Sequence, residues 1–113
     1  MKHLKLIVDN KKIKQSEFFS KKELKVIFDL YAEMVSCGQW KDYGLNLSRI
    51  QVSFNIYRNA TEFPIYKITK NFRPKNKNDK YIVKDLHGNT IKSSENLENL
   101  IQKIKWKKSN LLY

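Results

Sequence analysis

Cysteine is nearly missing from this chain. Cys37 stands alone among 113 residues, so no disulfide can close within the chain, as is usual for proteins of reducing compartments. There are two histidines, His3 and His87, which rules out a Cys/His cluster for zinc and a His pair at metal-ligand spacing. The three glycines, at positions 38, 44 and 88, are too scattered for a Gly-rich phosphate loop, and no serine sits in a nucleophile elbow. The apolar run at 4–8 is interrupted by Lys5 and is too short for a leader core or a membrane span. A cytoplasmic protein without a membrane partner is the expectation.

The remaining reactive pair would be Cys37 with His87 as its base, because a thiol needs a basic or positive neighbour to ionise near neutrality. Cys37 falls at the end of an expected helix, where the dipole opposes a thiolate. A buried structural cysteine and a turn histidine account for both residues, so no catalytic residue, metal or cofactor is assigned and a non-enzymatic protein is expected.

Against these absences stands one strongly marked stretch. Ser20 followed three residues later by Glu23 is a capping box, with Phe19 and Leu24 at the staple positions. Leu24, Ile27, Phe28, Tyr31, Met34 and Val35 recur at helical spacing, while Lys21, Lys22, Lys25, Asp29 and Glu33 take the opposite face. Gly38 supplies a left-handed stop, so the spacing predicts a helix over 21–37. Trp40, Asp42 and Tyr43 follow in what reads as a short connection. One reading plugs the core with Trp40 and lets Asp42 bond local N–H groups; the other makes the three residues a protein-recognition patch.

The run Phe19-Ser20-Lys21-Lys22-Glu23-Leu24, then Tyr31, Met34-Val35, Gly38, Trp40 and Asp42-Tyr43, resembles a family of short alphaproteobacterial proteins carrying a domain of unknown function. The similarity continues through Arg58, Glu62, Pro64 and Tyr66 and thins beyond Lys70. The resemblance implies a bacterial, cytoplasmic setting and one compact domain. It carries no catalytic or ligand residues across.

Alternation continues the chain. Ile50, Val52, Phe54 and Ile56 alternate with Gln51, Ser53, Asn55 and Tyr57, which predicts a half-buried strand. A turn at 59–62 leads to a second strand over 63–69, with Pro64 at its start, and an antiparallel hairpin follows from the short connection. Residues 71–80 read as a loop, 81–86 as a third strand, and Thr90-Ile91 as a short fourth beyond the turn at Gly88. Ser93-Ser94-Glu95 opens a second expected helix with Leu97, Leu100, Ile101 and Ile104 on its apolar face, and Trp106 covers the end of the sheet. The whole is an α+β fold: helix, three- to four-stranded antiparallel sheet, helix, with both helices packed on one sheet face. Residues 1–18 read as an N-terminal arm or edge strand, 19–108 as one domain, and 109–113 as a tail.

Charge gives the functional reading. There are 23 basic and 11 acidic residues, a net of +12, and residues 44–92 hold +7 of it. Between Lys67 and Lys84 seven cations face Asp79 alone, which puts half of the surplus in 18 residues. Such a segment suits phosphate neutralisation, with Phe72 able to stack on a base and Tyr57 on an exposed sheet face. It also suits a solvated loop in a Lys-rich composition. The expected nucleic-acid contact set is Arg58, Lys67, Lys70, Phe72, Arg73, Lys75 and Lys77, with RNA or DNA read through its backbone. Double-stranded-RNA-binding domains share the element order, but Ser93-Ser94-Glu95-Asn96 stands where they place lysines, so that mode is set aside. The alternative is a protein-interaction domain using the exposed sheet face or the patch of Trp40, Asp42 and Tyr43.

Overall fold

The computed structural model describes residues 6–7, 17–59 and 63–106. Helix α1 spans Lys21–Ser36. Its start is the capping box read from the sequence: the Glu23 N–H donates to Ser20 Oγ (3.1 Å) and the Ser20 N–H to Glu23 Oε1 (2.7 Å). The C-terminal end is a Schellman motif, in which the Gly38 N–H bonds to the Val35 carbonyl and the Gln39 N–H to the Met34 carbonyl, both at 2.9 Å. This closure needs Gly38 at φ +76°, and a Cβ there would meet nothing within 4 Å. Gly38→Ala is therefore strained by backbone conformation alone. It is expected to lose about 1–2 kcal/mol in urea denaturation, and an unchanged midpoint would contradict the assignment.

Six strands form one sheet in sequence order: β1 Leu6–Ile7, β2 Asp42–Leu47, β3 Gln51–Tyr57, β4 Tyr66–Asn71, β5 Tyr81–Asp85 and β6 Thr90–Ser94. Neighbours from β2 to β6 are antiparallel, and β1 lies parallel to β2 at the edge. The sheet thus has five antiparallel strands where three or four were expected. The extra one is β2, which the sequence disguised as a loop because Asp42, Gly44 and Asn46 are turn-forming residues. Ser93 and Ser94 belong to β6 and do not open a helix; α2 covers Leu97–Lys103 and is capped by Asn96, whose side chain accepts from the Asn99 N–H.

Register explains the core. Leu45, Phe54, Ile68 and Val83 lie abreast across β2 to β5, and all are at most 3% exposed. Ile27, Leu30, Tyr31 and Met34 of α1 and Leu97, Leu100 and Ile101 of α2 join them in a single cluster, so both helices cover one face. Phe28 meets Tyr43 and Phe54 edge-on at 5.3 and 5.4 Å. Trp106 covers the sheet's end, edge-on to Tyr66 at 5.0 Å, with its Nε1–H donating to the Ile101 carbonyl. Among the described residues, no helix is long and apolar enough to cross a membrane.

Candidate functional site

The alternation that sends Phe54 and Ile68 inward sends their neighbours to the side without helices. One row there is Asn46, Ser53, Thr69 and Ile82; the next is Gly44, Asn55, Lys67 and Lys84. The floor is polar and recessed, with Ser53 and Thr69 only 5% and 7% exposed, and Asn55 beside them is buried at 4%. Ser53 Oγ donates to Asn55 Oδ1 at 2.9 Å, which satisfies two of these groups within one strand. Small side chains in the middle and long ones beside them leave a depression of about 400 Å³, which Lys67 and Lys84 border. Tyr57 projects to the same side, and its ring passes over the bare backbone of Gly44, 3.9 Å from where a Cβ would stand.

A second depression, of about 840 Å³, adjoins the first and shares Asn71 and Ile82 with it. It is bordered by Arg49 before β3 and by Arg73 and Lys75 in the loop after β4, with Glu17 and Asp79 as its carboxylates. The two depressions together gather five cations against two anions. Ion pairs between described residues, Lys25–Asp29 and Lys70–Glu23, leave all five cations out.

The residues expected to bind nucleic acid divide accordingly. Lys67, Arg73 and Lys75 border the joined depressions, and Lys77 is exposed nearby in the 3-10 turn Lys77–Asp79. Arg58 lies by the β3–β4 turn, at the other end of the sheet, in a separate hollow of about 270 Å³ with Asp85 and His87. Two of the expected residues face the wrong way. Phe72 is half-buried and packs against the core, so its ring is not free to stack on a base. Lys70 is two residues beyond the inward-facing Ile68 and therefore points inward too, at 7% exposure. Lys84 and Arg49 were missed, although alternation through Tyr81, Val83 and Asp85 would have placed Lys84 beside Lys67.

Lys70 instead anchors the start of α1 to the sheet. Its ammonium donates to Glu23 Oε1 at 2.9 Å and to the Phe18 carbonyl at 2.8 Å, while the Tyr81 hydroxyl donates to Glu23 Oε2. Burial pushes the Glu23 carboxyl up, but hydrogen bonds from Tyr81, Lys70 and the Ser20 N–H, with the Lys70 charge, outweigh it and hold the group below its ordinary value. The Tyr81 hydroxyl is pushed far above the usual phenol range, first by burial and then by its bond to the Glu23 carboxylate.

The patch proposed around Trp40 is not a surface. Trp40 is 1% and Tyr43 6% exposed; Trp40 packs between Tyr31, Tyr66 and Trp106, and Tyr43 stacks on Phe54 at 4.9 Å with planes 7° apart. The core-plug reading holds for Trp40. Asp42, half-buried, accepts from the Tyr43 N–H, the local bond expected of it. Its charge and burial both push Tyr43 up, with burial the larger cause. Cys37 is exposed at the end of α1, contrary to the buried position expected, and does not border the hollow that holds His87. Among the described residues, no three of His, Cys, Asp and Glu gather as metal ligands would.

No curated protein and no solved structure matches the chain. A family model does match residues 17–101, from the capping segment into α2, and so takes in α1, strands β2 to β6 and every residue that lines the two depressions. On that match the chain belongs to the family described as Protein of unknown function (DUF2794).

Proposed function

We propose that this protein is a small non-enzymatic module that binds nucleic acid on the helix-free face of its sheet. It acts in the cytoplasm and contacts the backbone of RNA or DNA through Arg49, Lys67, Arg73, Lys75 and Lys84. The observation that supports this most is the gathering of these five cations on two adjoining depressions, with two carboxylates among them and no ion pair between described residues engaging the cations. Cations that no described carboxylate pairs with, beside a polar floor, favour a ligand that carries regularly spaced negative charge, since each neutralised phosphate releases condensed counterions. The competing protein-docking reading has lost its aromatic anchor with the burial of Trp40 and Tyr43. At the centre of the open face Ile82 is the apolar contribution of its row, a poor match to the apolar core of a protein interface.

The reading is tested by anisotropy titration of a labelled oligonucleotide over a salt series. Five phosphate contacts give a log–log slope of about −3.5 to −4.5. Lys67→Ala with Lys84→Ala should make the slope shallower by roughly 1.5–2. Absence of binding at about 50 mM salt to single-stranded and duplex probes alike would remove the proposal.

A further inference from the structure

Resting on that reading, we infer that the ligand is a single strand whose bases lie on the open sheet face, with Tyr57 as the stacking ring. A duplex keeps its base edges inside grooves, where an inserted helix or a two-stranded ribbon reads them. In this fold both helices are packed on the opposite face, and the polar groups that could read a base form the floor of a depression. A duplex, convex and stiff, can touch the cationic rim but cannot lower its base edges to the recessed Ser53 and Thr69, which are at most 7% exposed. A single strand can splay its bases onto a sheet, stack them on aromatic rings and bond their edges to side-chain amides.

The floor is built for that contact. Ser53 lines it, and its hydroxyl proton is held by Asn55 Oδ1, which fixes the hydroxyl and leaves its oxygen as an acceptor. Asn71 lines it too, and its Nδ2 donates to the Asp79 carbonyl at 2.7 Å, which fixes that amide and leaves its oxygen as a second acceptor. Two fixed acceptors lose little freedom on meeting a base edge. Tyr57 is half-buried with its ring laid over Gly44, so stacking on it costs little side-chain ordering. Asn55 pairs with Lys67 and Gln51 with Asn71, so six residue steps of β3 run from Tyr57 to Gln51, roughly 20 Å of strand, which is room for about three bases. Lys67 and Lys84 stand beside the half of that track nearer Tyr57, and Arg49, Arg73 and Lys75 stand at its far end, where the phosphates of those bases would pass.

The test uses the full chain and three labelled probes at one salt concentration: a twelve-nucleotide uridine RNA, a twelve-nucleotide thymidine DNA and a hairpin duplex of about twelve base pairs. At least one of the single strands is expected to bind about tenfold or more tightly than the duplex. Tyr57→Leu keeps bulk over Gly44 and removes the π face. It should weaken single-strand binding about five- to hundredfold without changing the salt slope, while Tyr57→Phe keeps the affinity. Lys67→Ala should do the converse, making the slope shallower by about 0.7. Thermal melts of each variant confirm that it is folded. Duplex binding as tight as that of both single strands, or a folded Tyr57→Leu variant with unchanged affinity, overturns this inference while leaving the polyanion surface standing. Failure of all three probes to bind overturns the surface with it.

Discussion

Glu23→Ala is expected to remove about 3–5 kcal/mol of folding stability, the usual consequence of leaving one partner of a buried ion pair without the other. Lys70 is the partner left behind, with a side chain 8% exposed and the Phe18 carbonyl as its remaining acceptor. The same substitution removes half of the capping box and the acceptor of the Tyr81 hydroxyl. A small domain has about 5–15 kcal/mol in total, so the variant approaches the edge of folding. Lys70→Met should be milder, because Glu23 then still accepts from Ser20 and Tyr81. The double variant Glu23→Gln with Lys70→Met should lose less than Glu23→Ala, since no charge is stranded and the amide oxygen still accepts. Urea denaturation of the set, with Glu23→Gln alone closing the cycle, decides the matter; losses of Glu23→Gln and Lys70→Met that simply add in the double variant would mean the pair is not coupled.

Acid titration offers an independent reading of the same site. The Glu23 carboxyl is held below its ordinary value in the folded chain, so its contribution is present at neutral pH and is withdrawn as pH falls through and below the ordinary carboxylate range. Wild-type stability should therefore fall more steeply below about pH 4.5 than that of Glu23→Gln, which has no proton to take up there.

How much of this was legible beforehand depends on how local each signal is. The capping box and the Gly38 stop are local to the helix, and its bounds agree to within one residue; the apolar face agrees except at Val35, which was expected on it and is 40% exposed, and at Leu30, which was not named for it and is buried. Strand β3 was legible for the same reason, except that Ile50, expected to begin its inward set, precedes the strand and is 70% exposed. Strand β2 was not, because Tyr43, Leu45 and Leu47 alternate with Asp42, Gly44 and Asn46, and the outward set is made of residues that favour turns in isolation. Their strand conformation is imposed by pairing with β3, which places Gly44 opposite Asn55. Lys70 was legible in principle, since counting by twos from Ile68 sends it inward. A lysine at an inward position is rare enough that its charge outweighed its register in the reading, and the partner that makes burial tolerable, Glu23, lies 47 residues away. The cationic surface was found in outline because the charge is concentrated along the sequence. In its true border Arg49 and Lys84 stand in place of Lys70 and Arg58: alternation alone gives the faces of Lys70 and Lys84, while the places of Arg49 and Arg58 at opposite ends of the sheet follow from strand pairing, which no local pattern carries.

Trp40→Ala should be the other severe variant, at about 3–5 kcal/mol. The indole is 1% exposed and lies 6.2 Å from Tyr31, 6.0 Å from Tyr66 and 5.6 Å from Trp106, so its removal opens a void where the end of α1, β4 and the segment after α2 meet. Its Nε1–H finds no acceptor among the described residues, so the ring stabilises through packing and not through its polar atom. Trp40→Phe should accordingly be far milder, about 1–1.5 kcal/mol, because it keeps an aromatic plug and removes a buried donor. The pair also separates a core role from a binding role. If Trp40 is a plug, the folded Trp40→Phe variant binds oligonucleotide with the wild-type affinity and salt slope, and thermal melting alone registers the change. A variant that melted like the wild type but had lost binding would return Trp40 to the functional surface, against a burial that leaves a ligand nothing of the ring to touch.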